Sequence, residues 1–220
     1  MAASRFDRFL PWAGVLAGVC FAFEGYLETG PDTPDDPARL AWLTSHQGIG
    51  VVIAVASALL ALFVLFFAGA VRRSLTAHGT HRSGYASVAF GGMVALAAGS
   101  SADAAVQLGT LDAAAKGHAD VVVTLAFLSE FSWVPWVVAS AAMFLGLGIG
   151  AIATGALPRW LAVVTTALGV MCLMGPVGVV VFLVSPVWFV ITGVTLARRA
   201  EPSAALAAAG GQTDRKATLA

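Results

Sequence analysis

The sequence predicts an all-α fold: a polytopic transmembrane bundle of six helices with both termini cytoplasmic. Three observations carry this. Charged residues make up only 11% of the 220-residue chain, whereas soluble domains hold roughly a quarter. Hydrophobic residues reach 59% and mean hydropathy +0.87, gathered in runs long enough to cross a bilayer. The basic residues fall on alternate connections between those runs. A single membrane domain, residues 1–200, then accounts for nearly the whole chain, and residues 201–220 form a mobile cytoplasmic tail rich in alanine, glycine and polar residues.

A crossing helix needs about 20 apolar residues. The first span is Phe9–Leu27, preceded by Arg5 and Arg8. Its apolar stretch runs into Glu24 and Tyr26 with no convincing small-residue cleavage site, so a retained span is expected rather than a cleaved signal. The run ETGPDTPDD, Glu28–Asp36, ends it with turn-forming prolines and aspartates. Pro37–Ser45 follows as a short interfacial helix with Trp42 at headgroup level.

The second span, Gly48–Val71, is joined to the third, Gly84–Leu108, through Arg72, Arg73 and Arg82. A short outer loop, Gly109–Asp120, comes next. Hydrophobicity then extends from Val121 to Ala156, too long for one untilted crossing, and the fourth span is placed at Phe131–Gly155. Residues Ala119–Ser132 either extend that helix outward or lie in the interface, with Pro135 as the expected bend. The fifth and sixth spans are Leu157–Gly175 and Val177–Leu196, linked by a tight turn at Gly175, Pro176 and Gly178.

Arg159 precedes the fifth span, and Arg198, Arg199, Arg215 and Lys216 follow the sixth. With six crossings these residues share one side with the earlier arginines, and only Arg39 and Lys116 fall on the other. The positive-inside rule then makes both termini cytoplasmic in a multi-pass protein of the cell (inner) membrane. Net charge is zero, and no basic surface suggests a nucleic-acid partner.

Three carboxylates, Glu24, Asp103 and Glu130, interrupt or border these spans. A carboxylate near a bilayer centre costs roughly 2.5–3.5 kcal/mol on insertion scales, so such groups face protein or a watery cavity. The topology puts all three in the outer half, where His46 opens the second span and Gln107 stands one turn from Asp103. Tyr26, Trp133 and Trp136 surround the same layer, the two tryptophans sharing a face at i, i+3. The layer has three readings: solvated or structurally bonded polar groups, a ligand or proton site, or a metal site. HxxxH and ExxH pairs are absent, so no metal is assigned. The aromatics read as an interfacial belt or as pocket walls.

Other chemistry is excluded by what the spans lack. There is no GxxxxGK[ST] phosphate loop, HExxH pair or GxSxG elbow. No lysine or histidine lies within a span to hold a retinal-type Schiff base or a haem, and no cofactor is expected. Cys20 and Cys172 sit in apolar runs as small hydrophobes. Gly14/Gly18 and Gly146/Gly150 form GxxxG pairs that allow close helix packing and leave a homo-oligomer open.

The segments VLFFAGAVRRSL (Val64–Leu75) and TGALPRWLAVVTTALGV (Thr154–Val170) carry a resemblance, as do Gly175–Pro176 and Pro186–Trp188 before a terminal Arg-Arg. Over about two-thirds of its length the chain resembles multi-spanning membrane proteins of actinobacterial type, placed among families of unknown function. That likeness implies a helical inner-membrane protein and transfers no activity; it does not reach the outer loop or Glu24.

The leading functional expectation is a small lipophilic or amphiphilic ligand bound in an acid- and aromatic-lined pocket. Glu24, Asp103 and Glu130 would act there, with His46, Gln107, Tyr26, Trp133 and Trp136 as ligand contacts. One alternative is a membrane-embedded isomerase, lyase or cyclase on a prenyl-type substrate, with Glu130 or Asp103 as general acid, by analogy with integral-membrane terpene cyclases. Another is a non-catalytic accessory or sensor subunit. The partners are the lipid bilayer and, on the first two readings, a lipophilic small molecule.

Overall fold

The structure of the protein, a computed structural model, describes residues 5–27, 37–77, 83–174 and 177–217. Among the described residues the regular structure is all helical: α1 (Arg5–Leu27), α2 (Pro37–Ser45), α3 (Gln47–Thr76), α4 (Ser83–Ala115), α5 (Ala119–Glu130), α6 (Trp133–Thr154), α7 (Arg159–Cys172) and α8 (Gly178–Ala217). Among the described residues five stretches are long and apolar enough to cross a membrane: Phe6–Gly25, Gln47–Thr76, Gly84–Ala115, Ala119–Thr154 and Val180–Arg199. Helices suit such sequences because every backbone N–H and C=O is satisfied within the segment. The short helix expected at Pro37–Ser45 forms. Segment 201–217, expected as a tail, continues α8 as helix.

Several boundaries differ from expectation. The stretch expected as the fifth span, Leu157–Gly175, yields only the 14 residues of α7, about 21 Å at 1.5 Å per residue. Pro158 stands at its N-cap, and the helix gives way to a turn at Leu173. Gly175 and Pro176 of the expected tight turn lie outside the described residues.

The expected outer loop after Leu108 is largely helix. α4 continues through the Leu- and Ala-rich stretch to Ala115, both being strong helix formers. Lys116 donates to Asp112 one turn back at 2.6 Å, and Gly117 takes a positive φ of 74° in the turn that follows.

Residues 119–132 continue the helix that follows them rather than turning away from it. Gly92 lies against Met143, Gly99 against Trp136 and Gly109 against Leu125, one antiparallel register held throughout, so α5 prolongs the line of α6 along α4. The break between them falls at Phe131–Ser132. Its cause is Pro135, which has no N–H to offer the carbonyl of Phe131 four residues back. The proline itself sits in the first turn of α6, where an N–H needs no helical acceptor. Beyond the main bundle, α2, α5 and the end of α4 enclose a second small core of Leu43, Leu111, Ala113, Ala114 and Val122.

In the bundle α3 packs between α1 and α4, and α6 between α4 and α7. α8 lies along α1 and touches α7 only sparingly. Phe67, Phe144, Trp188 and Phe189 fill the centre, and Trp188 Nε1 donates to Thr165 Oγ1 at 2.9 Å. The GxxxG pairs are used inside the chain. Gly14 receives the Phe67 ring and Gly18 the Pro186 carbonyl; Gly146 lies on the Ala89 backbone and Gly150 on Tyr85 and Leu75.

Two arginines fasten the opposite end. Pro11 leaves the Asp7 carbonyl without its helical donor, and Arg73 Nη2 supplies one at 2.8 Å while its other arm pairs with the Asp7 carboxylate. Arg199 donates to the carbonyls of Gly155 and Ala156 at 2.8 and 2.9 Å, where α6 ends in a left-handed glycine. These bonds gather the start of α1, the ends of α3 and α6 and the apolar end of α8 at one end of the bundle.

Candidate functional site

α1 buries Leu10, Ala13, Ala17 and Phe21 in a stripe of helical period, and Glu24 is the next member of it. The carboxyl therefore enters the core and is only 5% exposed. Opposite it, Ser57 occupies the buried stripe of α3, and its hydroxyl donates to Glu24 Oε1 at 2.9 Å. From α4, Asp103 comes within hydrogen-bonding reach of Glu24 and of Ser132, the residue at the α5–α6 break. Gln107 Nε2 donates to Asp103 Oδ2 at 3.5 Å.

The structure thus brings together Glu24, Asp103 and Gln107, and adds Ser57 and Ser132. Ser132 stands at the N-cap of α6 without capping it, which leaves its hydroxyl for Asp103. The signal for Ser57 is its phase: it shares a face with Ile53, Leu60 and Val64, so it cannot face lipid.

Glu130 is exposed at the end of α5 and does not join the cluster. His46 is also exposed. Its ring stacks on Trp42 at 5.0 Å, with Nδ1 2.9 Å from Ser45 Oγ. The side chain of Tyr26 lies outside the described residues. Among the described residues no three His, Cys, Asp or Glu side chains converge on a possible metal position.

Trp133 and Trp136 meet elsewhere, at a cavity of about 170 Å³ lined also by Val137, Ser140, Cys172, Gly178, Val181, Phe182 and Ser185. It lies between α6, the end of α7 and the start of α8, where α7 and α8 barely meet. The expected pocket of acids and aromatics is therefore divided, since no carboxylate lines the cavity. Trp136 marks the division. One face stacks on Phe21, 5.4 Å between centroids, and Phe182 packs edgewise on both at 4.6 and 5.7 Å. Ser132 of the polar cluster is one helical turn away.

Comparison with family models, curated proteins and solved structures gave no match. Fold and site define a helical protein with the features of a membrane protein, an internal polar cluster and an aromatic-walled cavity.

Proposed function

We propose that the protein is a multi-pass protein of the cell (inner) membrane that binds a small lipophilic or amphiphilic molecule in the cavity between α6, α7 and α8. One observation carries this reading: an apolar space of about 170 Å³, walled by Trp133, Trp136 and Phe182, at the seam where the successive helices α7 and α8 pack only sparingly. An apolar space of about this size is enough for a benzene-sized guest. The α7–α8 seam supplies a lateral route from lipid and room for a tail.

Six crossings with both termini cytoplasmic remain our reading. It is supported by Arg72, Arg73, Arg159, Arg198 and Arg199 at the ends tied together by the Asp7–Arg73 and Arg199–Gly155 bonds. α7 is short, but the chain after it brings Gly178 beside Cys172 and Val137, one turn into α6, which favours a crossing completed by the turn. From Arg72, Ser57 is 15 residues back along α3, about 22 Å, so the polar cluster falls in the outer third of a hydrocarbon core about 30 Å thick. The likeness to the actinobacterial-type group fits this arrangement and adds no ligand. Binding is favoured over acid catalysis because Trp136 stands between the carboxyl pair and the cavity.

Native mass spectrometry of gently extracted protein tests the proposal. Wild type should carry a defined lipophilic adduct. The substitution Val181→Trp, which fills the space, should remove it while circular dichroism stays unchanged. Only bulk phospholipid on both proteins would end the proposal in favour of an accessory role.

A further inference from the structure

The cavity has one hydroxyl left over. Helical serines and threonines in this protein characteristically return their proton to a carbonyl of the preceding turn: Ser100 to Leu96, Thr165 to Leu161, and Ser185, also in the cavity wall, to Val181 at 2.7 Å. Ser140 lines the same cavity and makes no hydrogen bond among the described residues. The Ser140 hydroxyl is half-buried at the cavity wall and has its proton to give, so a guest able to accept it gains a hydrogen bond.

The remaining walls narrow the guest further. Trp133, Trp136 and Phe182 offer ring surfaces, which aromatic groups meet in offset or edge-to-face contact. A space of about 170 Å³ is close to that needed for one six-membered ring. A saturated acyl chain would fill the volume, but it would leave Ser140 unbonded and make no use of the ring faces.

We propose that the ligand bound in this cavity carries an unsaturated or aromatic ring bearing a hydrogen-bond acceptor, and that Ser140 donates to it as the specificity-determining residue. This rests on the cavity being a binding site. The acceptor is a carbonyl or ether oxygen on the ring, and any tail leaves along the α7–α8 seam.

The test uses two probes of similar shape, acetophenone and isopropylbenzene, which differ in the acceptor. Each is titrated into full-length protein in nanodiscs, with tryptophan emission as the readout. Ser140→Ala should weaken acetophenone about fivefold to tenfold and leave isopropylbenzene unchanged. Ser101→Ala, on α4 away from the cavity and with its hydroxyl already committed to the Ala97 carbonyl, should change neither. If both probes bind and Ser140→Ala shifts them equally, or shifts neither, the assignment to Ser140 is overturned and the cavity reading stands. If wild-type protein binds neither probe, both fall together.

Discussion

Glu24 shows how a residue that looks misplaced in the sequence becomes a core residue. It continues the buried stripe of α1, and Ser57 and Asp103 supply the polar contacts that its burial demands. Glu24→Ala removes an acceptor and leaves Ser57 and Asp103 facing a gap, so unfolding in detergent should cost about 2 kcal/mol. Glu130→Ala touches an exposed side chain and should stay within about 0.5 kcal/mol of wild type. Equal losses in the two variants would show that the cluster contributes nothing. The grouping of Glu24, Asp103 and Gln107 was legible because depth along a span follows from topology and a four-residue step keeps a helix face. Glu130 was assigned by depth alone. The register with α4 puts Ser132 opposite Asp103, and a residue two positions away points roughly 200° around a helix. Depth without phase does not separate Glu130 from Ser132, and the structure leaves Glu130 exposed at the end of α5.

At the scale of the element, glycine decides how near two helices lie. A methyl group on Gly92 would come within 2.4 Å of the Met143 backbone nitrogen, whereas at the adjacent Gly91 it would meet nothing within 4 Å. Gly92→Ala should therefore lower stability by about 2 kcal/mol or more, since backbone cannot step aside as a side chain can. Gly91→Ala should be neutral or raise it by up to about 1 kcal/mol, through helix propensity. Thermal unfolding of the pair checks this, and similar midpoints would mean that α4 and α6 do not pack so closely. The sequence located the long helices because apolar length is a strong signal. Their ends were weaker: nothing in LGTLDAAA bars helix, so α4 ran on past the expected Leu108, while α7 stopped short of Gly175. Pro135 was legible as a bend, but its effect appears where the orphaned carbonyl lies, one turn earlier.

Across the whole molecule, the proposed topology makes a simple demand. With Cys20 and Cys172 first replaced by alanine, an impermeant maleimide added to intact cells should label Ser45→Cys and Asp112→Cys but spare Ala77→Cys and Arg159→Cys. Labelling of positions 112 and 159 from the same side would exclude the six-crossing arrangement. The all-helical class and the spacing of basic residues were readable from composition and charge. The division of the expected single pocket was not, because it depends on how Trp136 stacks with Phe21 and Phe182, a matter of three helices meeting rather than of any one segment. The bond between Arg73 and the Asp7 carbonyl has a consequence in time. A ribosome makes α1 first, with one backbone oxygen deprived of its donor by Pro11, and the guanidinium that answers it emerges 66 residues later. Until then, water or lipid headgroups must hold that oxygen. The first helix of this protein is thus completed by the third, in a contact that forms only after both have been made.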